Sequence, residues 1–202
     1  MDERLSDKAF TDAIKQAQRV RGSREDLDNM PEEDLWHDSV TPALEQFLQA
    51  RDSFYIATTS VDGQPYIQHR GGPPGFLKIL DPKTFGFADF SGNRQYITPG
   101  NLSENDRAFI FLMDYANRRR IKLWGRAKVV EGDDALCAKL TVPGYRAKVE
   151  RAILFEIEVW HANCPQHIAR RFPEADVAQA VGTLKARIAD LEAELAELRS
   201  GV

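Results

Sequence analysis

Hydrophobic and polar positions along the chain change period as they pass from one region to the next. In the first fifty residues apolar side chains recur at helical spacing. Phe10, Ile14 and Ala17 follow Ser6, which predicts a helix capped by that serine. Leu44, Phe47 and Leu48 follow Thr41-Pro42, a cap with proline in the first turn, and predict a second helix. The stretch between them is poorly periodic and is expected to wrap the surface. From Phe54 the period falls to two. FYIATTS, Asp62-Gly63 and QPYIQHR read as a hairpin, and FLKIL and FGFAD flank a turn at Asp81-Pro82-Lys83-Thr84. RAFIFLMD is apolar on both faces, so a cover is expected on each side of it. In RIKLWGRAKVV, Ile121, Leu123, Ala127 and Val129 point one way and Lys122, Trp124, Arg126 and Lys128 the other; ILFEIEVW sets Phe155, Ile157 and Val159 against Glu156 and Glu158. Six or seven antiparallel strands of this length predict a small closed barrel.

The tail returns to a helical period. Val177, Val181, Leu184, Ile188, Leu191, Leu195 and Leu198 follow alternating steps of four and three, a heptad seam. With Val181, Ile188 and Leu195 at position a, a parallel dimer would oppose Arg187 to Glu192 and Glu194 to Arg199 of the other copy. The other reading is an amphipathic helix lying on its own barrel.

Composition narrows the function classes. The formal net charge is −4, which argues against a general binder of nucleic acid or anionic membranes. No apolar run approaches the ~20 residues of a membrane helix, and the charged start MDERLSDKAF lacks a signal-peptide core. Cys137 and Cys164 are the two cysteines, too few for a disulfide framework, so a cytoplasmic setting is expected. Charge is nonetheless segregated: SREDLDNMPEEDLWHD is acidic and RRRIKLWGRAK basic, and a basic cluster of that kind suits an anion site.

The stretch QHRGGPPGFLKILDPKTFGFADFSGNR carries the most chemistry. Glycine and proline at 71–75 would let backbone approach a ligand, Arg70, Lys78 and Arg94 bracket them, and Gly92-Asn93 supplies a turn whose amides can face an anion. Solvated arginines on a glycine-rich hairpin are the plain alternative. In order along the chain, HRGGPPGFLKILD, FGFADFSGNR, NLSEND, AFIFLMD and RRRIKLWGRAKVVE resemble the FMN-binding split barrel of the pyridoxamine 5′-phosphate oxidase-like family, over roughly residues 50–172. The resemblance implies a mainly β fold with α, a split β-barrel at 53–172 between an N-terminal helical segment at 1–52 and a C-terminal coiled-coil-like helix at 173–202. It also implies an FMN site at a homodimer interface. By position, Arg70, Lys78, Gly92, Asn93 and Arg94 fall on the family's phosphate-gripping segments, Asp89 beside the flavin's polar edge, and Arg120 where a neighbouring subunit's polar residue meets the ring. A cation there would stabilise negative charge on the reduced ring.

Past the last strand, WHANCPQHIARRF spaces His161, Cys164 and His167 as H-x2-C-x2-H. A tetrahedral zinc site needs four ligands, or three and a water, and a fourth is not evident, so no metal is expected. The resemblance puts this segment over the flavin edge, which makes Trp160, Asn163, Cys164 and His167 candidate ring or substrate contacts; a core role for Trp160 and an inert thiol for Cys164 are the alternatives. The glycine-proline loop and the heptad tail depart from the parent oxidase, which leaves the substrate unassigned. The expected activity is hydride transfer through flavin N5 to or from a small molecule, with a nicotinamide as a possible donor. A non-catalytic FMN carrier or sensor is the alternative, and no catalytic residue is assigned.

Overall fold

A computed structural model describes residues 4–163 and 165–200. The chain divides into two compact units, Met1–Asp114 with Arg119–Pro165, and Tyr115–Arg118 with Gln166–Val202. In the first, a 3-10 helix at Leu5–Lys8 is followed by α1 (Asp12–Val20), α2 (Arg24–Asn29) and α3 (Glu32–Leu35). The expected cap at Ser6 is corrected: Thr11 caps α1, its hydroxyl accepting from the Ile14 amide, while Ser6 is buried and its amide donates to Glu32 at 2.7 Å. The aperiodic stretch is tethered rather than loose. Trp36–His37 form β1, too short to show a period, and pair with the last strand. The Thr41-Pro42 reading holds: α4 (Pro42–Gln49) starts on a Thr41 cap and buries Leu44, Phe47 and Leu48.

The strands are β2 (Ser53–Thr59), β3 (Pro65–Gly71), β4 (Lys78–Ile79), β5 (Thr84–Phe90), β6 (Arg107–Asp114), β7 (Arg119–Val130) and β8 (Val149–Asn163), with α5 (Ile97–Glu104) and α6 (Asp134–Leu140) between them. They make one antiparallel sheet in the order β3-β2-β6-β7-β8-β5-β4, β1 adding to β8. Because β3 and β4 are the two ends of that order, the barrel is split rather than closed as the strand count alone had predicted. Period two sorts the side chains: Phe54, Ile56, Ile110, Leu112, Ile121, Leu123, Phe85, Phe87 and Phe155 fill one core. Burying each such side chain contributes roughly 1.5–3 kcal/mol, so this interior is what holds the strands in register.

Two glycines are required by packing. At Gly125 a β-bulge brings β8 so close that a Cβ would stand 2.0 Å from the Glu156 carbonyl oxygen. At Gly72 a Cβ would meet the Phe76 ring at 2.7 Å. The glycine-proline loop therefore makes room for Phe76, which is buried, at least as much as for any ligand.

RAFIFLMD has one covered face. Ala108, Ile110, Leu112 and Asp114 are buried, whereas Phe109, Phe111 and Met113 remain half-exposed on the outer side, beside Tyr55 of β2 and Trp124 of β7. In the second unit, α7 (Glu174–Ser200) is one uninterrupted helix with no buried residue, and Arg171 lies over the Tyr115 ring at 4.8 Å. Among the described residues no helix is long and apolar enough to cross a membrane.

Candidate functional site

A cleft of about 170 Å³ opens where the inner side of β3 faces the end of β5. β3 contributes Tyr66, Gln68 and Arg70, on its inward register with Phe54 and Ile56 as cross-strand partners. Asp89 and Phe90 come from β5, Gly92 to Tyr96 from the loop after it, Ile97 and Pro99 from the first turn of α5, and Glu150 from β8. A second hollow of about 180 Å³ shares Gln68, Arg70, Phe90 and Gly92 and is walled by Phe76, Phe87 and Ala88. One end of the groove is thus polar and the other aromatic.

The loop is shaped by local chemistry. Asn93 Oδ1 accepts from the Gln95 amide at 3.2 Å, and Arg94 and Tyr96 both take positive φ, 60° and 53°. Left-handed backbone at two non-glycine residues is uncommon and marks a loop held in one shape by its surroundings. Arg94 Nε donates to the Tyr96 hydroxyl at 3.3 Å, and this contact raises the Arg94 pKa. α5 starts directly after with no side-chain cap on its first amides, those of Ile97 and Thr98, since Pro99 carries none.

The inner wall is a charge network. Arg70 pairs with Asp89, whose other oxygen lies 3.5 Å from Arg151 Nε; Arg151 also pairs with Glu131 at 2.7 Å and Glu150 at 2.9 Å. The guanidinium of Arg151 sits over the Tyr96 ring at 5.0 Å, tying the loop to the barrel wall. Burial raises the Asp89 pKa, against the pull of Arg70 and Arg151. A hydrogen bond from Ser91 lowers that of Glu150, with help from Arg151. Arg94, by contrast, is exposed and makes no ion pair among the described residues.

Five of the sequence-predicted residues meet here: Arg70, Asp89, Gly92, Asn93 and Arg94. Asp89 does so in a different role, as the buried counterion of Arg70 and Arg151. Lys78 stands in β4 opposite Gly86 and does not line the cleft. Arg120 lies on the outer sheet face across from Met113, and its Nε is buried without a hydrogen-bond partner. Trp160 is buried in the core, the alternative role given for it above, its indole N–H donating to the Ser39 carbonyl at 2.8 Å and its register facing the interior like Leu123 opposite it. Asn163 ends β8, His167 is exposed in the second unit with φ 61°, and Cys164 lies outside the described residues.

Sequence reasoning missed Arg151, Glu150, Gln68 and Tyr96. A signal existed for the first, since Arg151 shares the inward register of β8 with Ile153 and Phe155, an odd place for an unpaired cation. Gln68 accepts from the Thr98 hydroxyl at 2.7 Å and so links β3 to α5, a contact that no local pattern announces.

Comparison with known proteins adds a family. The model described as pyridoxamine 5′-phosphate oxidase matches residues 40–180. No protein of curated function matches the chain. Among solved structures, HupZ of Group A Streptococcus is 22% identical, covering 66% of this chain and 99% of its own, with a TM-score of 0.45. An FMN-binding protein from Syntrophomonas wolfei is 13% identical over 74% of this chain and 97% of its own, with a TM-score of 0.46. HutZ, the heme storage protein from Vibrio cholerae, is 14% identical over 60% and 93%, with a TM-score of 0.42.

Proposed function

The chain belongs to the pyridoxamine 5′-phosphate oxidase family, and from that premise we propose that the β3–β5 cleft binds FMN and that the protein is an FMN-dependent oxidoreductase acting as a homodimer. The observation that carries the reading is the convergence of Arg70, Asn93, Arg94 and the uncapped start of α5 on one cleft with an aromatic end. That donor set suits a phosphate monoester: guanidinium groups give charge-assisted, bidentate hydrogen bonds, and turn and helix amides add directional ones.

Within the site, Arg94 grips the phosphate from the solvent side, held by Tyr96. Arg70 shares itself between the phosphate and Asp89. Phe76 and Phe90 provide the apolar surface that excludes water. When bound, FMN supplies hydride exchange at its N5 atom. Arg120 of one copy serves the ring held by the other, and its buried, unpartnered Nε supports a role toward a group outside its own chain. Lys122 shares that outer face, and its pKa is lowered by burial and then by Arg120, so the two cations have reason to seek an anion. The half-exposed Phe109, Phe111 and Met113 give the partner barrel an apolar surface to cover. A cytoplasmic setting is in keeping with the two cysteines of the chain.

Freshly purified protein should show a flavin absorption spectrum, with FMN as the released chromophore by mass. In a fluorescence titration Arg94→Ala should weaken FMN binding by about tenfold or more, and Arg118→Ala should leave it unchanged. Equal affinities would overturn the assignment of the cleft. Anaerobic mixing with NADH or NADPH separates the activities, since bleaching of the flavin band marks an oxidoreductase and a persistent band the carrier.

A further inference from the structure

The C-terminal helix is a surface built for another helix. α7 is 27 residues long, and every residue of its seam, Val177 through Leu198, is between 41% and 70% exposed. An uninterrupted line of seven large aliphatic side chains, about 32 Å long at 1.5 Å per residue, is a poor surface to leave in water.

We infer that α7 pairs with α7 of a second copy as a parallel, two-stranded coiled coil, a contact separate from the barrel-face dimer proposed above and independent of FMN. Three observations select this occupant. The seam keeps strict 4-3 spacing with no stutter, which fits a supercoiled pair better than packing on a curved sheet. Two of the three a positions, Val181 and Ile188, are β-branched and three of the four d positions, Leu184, Leu191 and Leu198, are leucine, the combination that favours two parallel strands; Leu195 at a and Val177 at d depart from it. The flanking charges are unspent at home: Glu192, Glu194 and Arg199 have no oppositely charged residue three or four positions away on their own helix. In a parallel pair Arg187 meets Glu192 and Glu194 meets Arg199 of the other copy.

Charge alone does not choose the direction. An antiparallel register would set Arg187 against Glu194 and Lys185 against Glu192, also attractive. The a and d residues decide, because only the parallel arrangement stacks Ile188 on Ile188 and Leu191 on Leu191 in separate layers. Gly182 falls at b and Ala186 and Ala193 at f, away from the partner, so nothing bulky marks a further interface.

Cysteine trapping in the full chain tests this directly, with Cys137→Ser and Cys164→Ser removing the native thiols. Under mild oxidation Leu191→Cys should give at least about tenfold more covalent dimer than Ala189→Cys, which faces outward at b, because only the former brings Cβ atoms within disulfide reach. Three results would overturn the inference: no cross-link at 191, equal cross-linking at 189 and 191, or cross-linking confined to mixtures of Ile188→Cys and Leu191→Cys chains, which marks the antiparallel pair. A barrel that dimerises without the helix shows as dimer mass with no cross-link at 191. A chain that fails to bind FMN still cross-links, so the two readings fail separately.

Discussion

The barrel hides Phe54, Phe87 and Phe155 within a single chain, whereas α7 leaves Leu184, Ile188 and Leu198 in solvent. Both segments obey a strict hydrophobic period, two in one case and three-and-a-half in the other. The difference lies in where the partner surface comes from. Strands coil so that their own neighbours cover them, and a solitary amphipathic helix has no such recourse. A periodic pattern thus predicts that a face will be buried, and only the topology tells whether one copy of the chain suffices. Strand β6 is an intermediate case, with Ile110 and Leu112 covered on its inner face and Phe109 and Phe111 only half so on its outer one.

That contrast can be broken from either side. The largest expected effect belongs to the barrel. Gly125→Ala drives a methyl into the Glu156 carbonyl and the Phe155 ring and should cost about 3 kcal/mol of barrel stability or more. Thermal unfolding at several protein concentrations should show the same loss at each, while the α7 transition stays in place. Next is Gly182→Ala, on the outer face of α7 with nothing near its Cβ. It should stabilise the helix by about 1 kcal/mol per chain and raise a concentration-dependent transition, leaving the barrel untouched.

A smaller effect concerns the charge in the cleft. Burial raises the Asp89 pKa, so its carboxylate is the form the fold disfavours. The stability it contributes is therefore present below its unfolded pKa and falls as pH rises through the folded one. A phosphate dianion beside Arg70 raises that pKa further, so protonation of Asp89 and anion binding favour each other. FMN affinity should strengthen as pH falls through the Asp89 titration, measured against Asp89→Asn, which should lack this component and bind FMN several-fold more tightly at neutral pH. The smallest effect is expected at the surface. Lys83 and Asp38 pair at 2.7 Å while each remains largely exposed, so Lys83→Ala should shift barrel stability by less than about 0.5 kcal/mol in denaturant titration.

Much of this architecture was legible in the sequence because its elements are long and regular. The hairpin through Gly63, the Thr41 cap and the heptad seam each depend on residues close together in the chain. What escaped depends on pairing at a distance. β1 has two residues and exists because β8 offers Trp160 and His161 as partners. Ser6 looked like a cap by type, but it lies inside the 3-10 helix, where its amide donates to the Glu32 carboxylate 26 residues away, and α1 begins later on the Thr11 cap. In the cleft, the cations Arg70 and Arg94 were visible as residue types near a turn, yet the network that fixes Arg70 runs through Asp89 and Arg151, 19 and 81 positions along. Which of its two alternative roles Trp160 takes was hidden for the same reason, since a bulge at Gly125 and the Ser39 carbonyl settle which way its indole turns.

The cleft's central claim is that it recognises a phosphate monoester first and a ring second. Parallel fluorescence titrations with FMN and riboflavin test it most directly, because the two ligands share the isoalloxazine and differ in the group that Arg70, Arg94 and the α5 amides would hold. FMN should bind at least about a hundredfold more tightly, as expected from several charge-assisted hydrogen bonds. Equal affinity for the two flavins would contradict the account.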